Sequence, residues 1–168
     1  MSEIFAICGN YEVDGKWKRD NVSFKGWFVK NDDDSFVGIC LDEVDVPKRD
    51  YIKHTTQPKT ELVPKFLVGT LKKRDDGHDY GITFYMLSNY GSIAPIKYTI
   101  PDLGSEHPDE KGFREWITYN GPQRHGDARV NIQQYNGSAK AEDFLRREFK
   151  KLRDVNGNKR FIDEVLCS

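Results

Sequence analysis

The sequence predicts a mostly-β protein, an antiparallel and strongly coiled β-barrel that ends in one C-terminal amphipathic α-helix. Apolar residues stand at every second position in a series of short segments, which is the pattern of half-buried strands. Turn residues separate these segments at intervals of roughly 8–12 residues, a spacing typical of sandwiches and barrels rather than of parallel sheets. After Gly137 the apolar spacing changes to that of a helix.

The first three predicted strands occupy residues 5–13, 23–30 and 36–41. Asp14 and Gly15 follow the first of them, and this pair is a favourable hairpin or loop signal. The third segment is apolar on both faces, which predicts a central strand or a strand that another element covers.

Strand patterns resume after residues 44–61, where two prolines interrupt the alternation. A loop of this length inside a compact domain is either functional or a missed element. Residues 120–122, Asn-Gly-Pro, predict a turn before the last strand. The strands predicted in this half of the chain are 62–73, 80–86, 94–100, 113–119 and 128–133.

Glycine recurs in one phase of three predicted strands, at Gly26, Gly38 and Gly69, with an apolar residue two places to either side. Glycine weakens a flat strand, so this recurrence indicates strong bending, as in a closing barrel. We expect Gly26 and Gly38 to lie at sharp bends or bulges of adjacent strands, where alanine would cost about 1 kcal/mol or more. Three unrelated glycines are the alternative, because the chain has 14.

An amphipathic helix is predicted over about residues 138–153 and would close one end or side of the barrel. Ser138 is a favourable N-cap, and acidic residues occupy the first turns, where the helix dipole favours them. The apolar residues at helical spacing that predict its buried face are Leu145, Phe149 and Leu152. Residues 161–167 are predicted to form a last strand or a docked tail.

The chain of 168 residues fits a single domain, 1–168, and carries a net charge of -1. This charge lacks the strongly basic balance of a dedicated nucleic-acid binder. The N-terminal apolar run follows an acid and is broken by Gly9, so we expect no signal peptide, no membrane span and a cytoplasmic location. Cys8 and Cys40 lie in apolar stretches and are expected to be small buried side chains.

Two short motifs make the chain similar to the calycin group of barrels, which contains lipocalins, fatty-acid-binding proteins and avidins. Gly9-Asn10-Tyr11 resembles the lipocalin Gly-x-Trp opening, with tyrosine in place of tryptophan, and Gly26 lies in an aromatic-x-Gly-x-aromatic strand like those of avidins. The resemblance implies an antiparallel barrel that holds a small molecule. It also implies that a late arginine covers the first-strand aromatic residue, and Arg129 is the candidate.

Catalytic signatures are missing from the sequence, which contains no nucleophile elbow, no phosphate-binding glycine loop and no zinc-protease motif. The four histidines lie in separate segments, and no pair has the spacing of metal ligands. We therefore predict no catalytic residue, no metal site and no cofactor. An enzyme whose site is dispersed along the chain is kept as an alternative.

Aromatic residues on the predicted inward face are the strongest candidates for function. The residues predicted to fill the interior include Phe24, Phe28, Tyr80, Phe84, Ile96 and Tyr98. Side chains can fill a barrel of this size or can line a cavity for one ligand, and inward tyrosines favour a cavity with polar groups. The candidate ligand-binding residues are Tyr11, Phe28, Tyr80, Phe84 and Tyr98.

The leading hypothesis is a small soluble binding module for a small apolar or amphipathic molecule. The alternative is a protein-interaction module that uses its outer surface, where Trp27 is predicted to be exposed, or its basic C-terminal helix. Residues 140–160 carry eight bases and four acids, which suits either an acidic partner or the solvated face of a packed helix. The sequence leaves a homo-oligomer open and names no ligand.

Overall fold

The computed structural model describes residues 3–13, 15–19, 22–45, 60–73, 80–88, 95–103, 112–118, 121–135, 142–143, 145–147 and 150. Most of these residues lie in strands. The strands of the described chain are β1 (Glu3–Val13), β2 (Lys16–Trp17), β3 (Phe24–Lys30), β4 (Ser35–Asp45), β5 (Thr60–Lys73), β6 (Tyr80–Ser88), β7 (Ile96–Ile100), β8 (Gly112–Thr118) and β9 (Gly121–Tyr135).

Eight of these strands form a closed antiparallel barrel in chain order, β1 and β3 to β9. Each strand pairs with the next, and β9 returns to pair with β1, which closes the sheet on itself. The short strand β2 lies outside this circuit and extends β1 as a hairpin partner of Glu12 and Val13. The predicted antiparallel barrel is therefore confirmed.

The long strand β9 closes the barrel by pairing with a different neighbour along each half. Its first half, from Gly121 to Ala128, pairs with β8, and its second half, from Ala128 to Tyr135, pairs with β1. The change of partner at Ala128 staggers the strands strongly, which is the geometry that closure requires. A register shift between Arg114 and Glu115 lies just before this change of partner.

Alternate residues of each barrel strand point inwards and form one core. The aromatic and aliphatic residues predicted for the interior all belong to it, which confirms the predicted strand phases. Phe24, Phe28, Phe84 and Tyr98 have at most 1% of their surface exposed, and Tyr80 and Ile96 are partly buried against them. An interior of eight strands is just wide enough for such side chains to fill.

The outer face of the sheet also carries apolar residues that are buried. On β4, Phe36 points into the barrel while its neighbour Val37 is buried on the outside. The outer face of β4 is therefore covered at Val37, as the sequence predicts, but Leu41 further along the same face is 45% exposed. One outer cluster contains the buried residues Val37, Phe66, Val68 and Leu87. A second contains Ile4, Val29 and Leu145.

A short C-terminal helix, α1, lies on the outer wall of the barrel. Its described residues are 142–143, 145–147 and 150. Leu145 is buried against Ile4 and Val29 of two adjacent strands, so the helix covers a side of the barrel. Three residues predicted for this helix lie outside the described residues: the N-cap Ser138 and the apolar Phe149 and Leu152. The strand or tail predicted for residues 161–167 also lies outside them.

The two inward glycines of β3 and β4 do not lie at bulges. The ladder between these strands runs without a register shift, from Phe24 paired with Asp42 to Lys30 paired with Phe36. A Cβ atom on Gly26 would lie 2.1 Å from the carbonyl oxygen of Ile39, and one on Gly38 would lie 2.3 Å from that of Trp27. Close approach of the neighbouring backbone, rather than a bulge, requires glycine at both positions.

Two predicted loops are partly strand. Strand β9 begins at Gly121, inside the predicted turn 120–122, because Gly121 and Pro122 pair with the end of β8. Proline is tolerated so early in a strand, and residues 121–127, Gly-Pro-Gln-Arg-His-Gly-Asp, have no alternating apolar side chains that would have revealed it. The predicted loop 44–61 is shorter at both ends, since β4 reaches Asp45 and β5 starts at Thr60.

Candidate functional site

The Gly9-Asn10-Tyr11 segment of β1 positions three different parts of the molecule. The inward face of Gly9 is occupied by the ring of Phe24, which lies 2.3 Å from where a Cβ would stand. Asn10 points outwards and holds the following hairpin, because its Oδ1 accepts a hydrogen bond from the Arg19 amide at 3.2 Å. Tyr11 then points into the barrel, where 6% of its surface is exposed.

An aromatic column fills the middle of the barrel. Phe5 stacks on Phe28 at 5.2 Å between ring centroids, and Phe28 lies 4.2 Å from Phe36. Phe84 stacks on Tyr98 at 4.7 Å, and the edge of Phe24 meets Tyr98 at 5.6 Å. These contacts make the centre of the barrel a packed core, with the neighbouring rings in the arrangements that aromatic pairs prefer.

A group of polar side chains lies beside this column, towards the end of the barrel where β1 and β4 finish. We call this group the interior polar cluster: Tyr11, Asp42, Lys65 and Arg114. The ammonium of Lys65 contacts the carboxylate of Asp42 at 2.7 Å, and the Tyr11 hydroxyl donates to the other carboxylate oxygen at 3.4 Å. The guanidinium of Arg114 lies over the Tyr11 ring, 3.9 Å from its centroid.

Strand register explains why these charged residues point inwards. Asp42 pairs with the inward Phe24, Lys65 pairs with the inward Cys40, and Arg114 pairs with Tyr98. Paired residues share a face of the sheet, so all three lie in the interior phase. Tyr98 therefore joins the aromatic column to the interior polar cluster.

Arg114 carries an unmet hydrogen-bonding requirement. It is 4% exposed, and its Nε and Nη1 atoms are buried without a hydrogen-bond partner in the described part of the chain. The contact with the Tyr11 ring offsets part of the cost of burying the charge, by about 2 kcal/mol at a dry site. It supplies no acceptor in the plane of the guanidinium, where the N–H groups point.

The described charges of the cluster do not balance. Asp42 supplies one negative charge, and its ion pair with Lys65 neutralises that charge locally. Arg114 therefore leaves the interior with one positive charge that no described carboxylate contacts. A buried charge without a partner is costly, so this position favours a negatively charged group nearby.

The interior also shifts two weakly acidic groups. Burial raises the pKa of the Cys40 thiol above its ordinary value of 9.0, and the Asp42 carboxylate raises it further while Lys65 opposes the shift. Burial raises the pKa of Tyr98 well above 10.0, although the nearby Arg114 favours its ionised form. Both groups are neutral at physiological pH, so neither supplies the missing negative charge.

The five candidate ligand-binding residues are spread through the barrel interior. Phe28, Phe84 and Tyr98 belong to the packed aromatic column, and Tyr11 belongs to the interior polar cluster. Tyr80 starts β6 at the opposite end and is only partly buried. Tyr11 and Tyr98 are the two that lie beside Arg114.

The arginine expected to cover the first-strand aromatic residue is not Arg129. Arg129 points outwards and lies over the ring of Trp17 in β2, at 3.8 Å. Arg114 covers Tyr11 instead. The prediction chose the wrong residue because Arg129 alternates with the inward Ala128 and Val130, and its side chain therefore belongs to the outer face.

The three charged members of the interior polar cluster were not among the predicted site residues. The sequence contains a signal for two of them. Asp42 lies two residues after the inward Cys40, and Lys65 lies two residues before the inward Leu67, so alternation predicts that both point inwards. Arg114 was hidden by its neighbour Phe113, whose apolar side chain suggests the opposite phase for β8. Charges in the phase of a buried face are the signal that could have found the cluster.

A second candidate surface lies on α1. An open depression is lined there by Asp143, Arg146, Arg147 and Lys150. Arg146 is already engaged, since it contacts the Glu142 carboxylate at 3.2 Å and donates to Asn31 Oδ1 at 3.2 Å. Arg146 therefore links the helix to the turn between β3 and β4. The other two bases of the depression, Arg147 and Lys150, are exposed.

Within the described chain, no helix has the length and apolar character needed to span a membrane. Histidine, cysteine and carboxylate side chains in the same residues form no group of three that could hold a metal ion. No protein-family model matches the sequence, and searches of curated proteins and of solved structures return no significant match.

Proposed function

We propose that this barrel is a binding module for a small amphipathic molecule, which enters at the end that holds the interior polar cluster. The proposal rests on one observation, that charged residues occupy inward positions directly beside a packed aromatic column. Stability alone does not explain them, because replacing a buried ion pair with apolar residues of similar volume is often neutral or stabilising. Buried charge that stability does not require favours a binding role.

The two halves of the interior match the two parts of such a ligand. Tyr98 and Phe24 form the apolar side of this end of the interior, and Tyr11 and Arg114 form its polar side. At the same end, Ile96 begins β7 and packs only partly buried against the core. Because the aromatic column fills the middle of the barrel, we propose a small ligand that stays at this end. We also propose that the protein is cytoplasmic.

Native mass spectrometry of freshly purified protein tests the proposal directly. We expect a retained molecule of low mass that is lost on denaturation, or uptake of an added amphipathic probe such as 1-hexanol. Ile96→Trp should block uptake because its larger side chain would occupy the entrance, whereas Lys97→Trp, on the outer face of the same strand, should not. Equal native and denatured masses, together with no uptake of any probe, would contradict a binding module.

A protein-interaction module is the second candidate, and the outer surface supplies its observation. Trp27 of β3 and Leu41 of β4 are 52% and 45% exposed on the same outer face of adjacent strands. Large apolar side chains exposed side by side are typical of contact surfaces. Size-exclusion chromatography with light scattering tests this alternative, because Trp27→Ser should abolish any self-association that depends on the patch.

A further inference from the structure

Arg114 provides more information about the ligand than the barrel as a whole. Its guanidinium is held in place by the Tyr11 ring at 3.9 Å and by the pairing of its strand with Tyr98. Two of its nitrogens, Nε and Nη1, are buried with no acceptor in the described chain. A side chain fixed in this way is prepared to donate hydrogen bonds to an acceptor that the described residues do not supply.

The charge of the cluster limits what that acceptor can be. An ordered water could accept one hydrogen bond but would leave the positive charge of Arg114 unbalanced. Asp42 is not free to balance it, because its carboxylate contacts Lys65 at 2.7 Å and accepts from Tyr11 at 3.4 Å. Among the described residues the cluster has one positive charge in excess, and a ligand with one negative charge would balance it.

We propose that Arg114 is the binding residue for a carboxylate, so that the ligand is a small amphipathic molecule with one negative charge. This inference rests on the proposed binding function and names the chemical class of its ligand. A carboxylate suits the site because it is a planar acceptor with a single charge, which matches the guanidinium and the charge excess. A phosphate monoester carries about 1.5 to 2 negative charges at neutral pH and would exceed that excess.

Titration calorimetry with three probes that share one apolar chain tests the inference: hexanoate, 1-hexanol and hexyl phosphate. We expect the wild-type protein to bind hexanoate at least about tenfold more tightly than 1-hexanol, since hydrogen bonds to charged groups are the stronger ones. Hexyl phosphate should bind more weakly than hexanoate. Equal affinities for the acid and the alcohol would overturn the carboxylate assignment while leaving the binding module intact.

Other outcomes separate the two proposals. If none of the three probes binds, the proposed function fails and the ligand class fails with it. If hexyl phosphate binds more tightly than hexanoate, the site prefers a dianion and the single-charge assignment is wrong. All of these comparisons use the wild-type protein, so the inference can be contradicted even if a variant does not fold.

Variants then assign the effect to Arg114. Arg114→Met should reduce the preference for hexanoate over 1-hexanol to about one, because the tenfold preference comes from a charge-assisted bond. Arg129→Met is the matched control, since Arg129 also lies over an aromatic ring, at 3.8 Å, but on the outer face. A preference that survives Arg114→Met in folded protein, or one that Arg129→Met abolishes, would contradict the assignment.

Discussion

Cys40 and Tyr98 are two side chains whose ionisation the barrel interior suppresses. Burial raises the pKa of each above its ordinary value, 9.0 for the thiol and 10.0 for the phenol. In the unfolded chain both groups lose their protons at those ordinary values, while in the folded chain they keep them. The folded state therefore binds more protons above about pH 9, and linkage makes stability fall as pH rises there.

We predict that the contribution of these two groups to the free energy of unfolding is constant below about pH 9 and declines steadily between about pH 9 and pH 11. Urea denaturation at a series of pH values measures it. Tyr98→Phe should flatten the upper part of this decline, because phenylalanine has no proton to lose. Tyr135→Phe is the control at an exposed tyrosine, and a decline that responds equally to both substitutions would contradict the role of burial.

Side-chain phase explains which interior residues could be predicted and which could not. Phe84 and Tyr98 lie in regular alternating segments, so period two places them in the core correctly. Arg114 lies one residue before a register shift, in a strand whose flanking residues are mixed in character. Alternation carries no information on phase where the ladder is irregular, and the central residue of the candidate site was missed for that reason.

At the scale of elements, β3 and β4 depend on glycine at the positions where they meet. We predict that Gly38→Ala destabilises the fold by about 1–3 kcal/mol, the usual cost of forcing extra atoms into a packed region. The added Cβ would lie 2.3 Å from the Trp27 carbonyl oxygen and 2.6 Å from the Phe28 Cβ, so the neighbouring strand must move. Thermal and urea denaturation measure the loss.

Lys25→Ala is the matched control for this strand pair, because Lys25 is exposed on the outer face of β3. It should change stability by less than about 0.5 kcal/mol. A Gly38→Ala protein as stable as the wild type would show that β4 can move away from β3. Close approach would then not be the reason for the glycine in this strand.

Helix α1 offers a separate test, because Leu145 is its described contact with the barrel wall. Leu145 is 3% exposed and packs on Ile4 and Val29. We predict that Leu145→Ala costs about 2–5 kcal/mol, as large-to-small changes in cores do. Arg147→Ala, at an exposed position of the same helix, should cost less than about 0.5 kcal/mol.

Both variants are compared by urea denaturation followed by circular dichroism. If Leu145→Ala costs no more than Arg147→Ala, the helix contributes nothing to stability, and the outer cluster with Ile4 and Val29 must be stable without it. A single unfolding transition in both variants would show that helix and barrel unfold together. Two transitions would show that α1 detaches first.

The helix and the strands differ in how fully the sequence predicts their partners. Helical spacing identifies Leu145 as a buried residue, because amphipathic periodicity is a local property. It does not reveal whether a helix covers an end or a side of the barrel, since that depends on which outer residues are apolar. Ile4 and Val29 supply that apolar surface on the outer face, out of phase with the inward residues of their own strands.

At the scale of the whole molecule, closure depends on contacts between the two ends of the described sheet. Strand β1 pairs with β9 from Ile4 with Tyr135 to Tyr11 with Ala128, so the first and last strands are neighbours. Strand count and spacing predict a barrel or a sandwich, but no local pattern states which strands meet last. The true start of β9 at Gly121 was therefore missed along with its change of partner.

Hydrogen exchange followed by NMR can establish whether the barrel is closed in solution. In the second half of β9, residues 129–135, successive amides point alternately towards β1 and away from it. In the described chain β8 pairs with β9 only as far as Ala128, so the protection of the following amides must come from β1. We predict that slow and fast exchange alternate along residues 129–134, while amides of β1 between Ile4 and Gly9 are protected on both sides by β3 and β9. Uniformly fast exchange over residues 129–134, with protection kept between residues 121 and 127, would contradict closure. It would indicate an open sheet in which β1 and β9 are unpaired edges. Tyr11 of β1 and Arg114 of β8 could not then meet, and the interior polar cluster could not form.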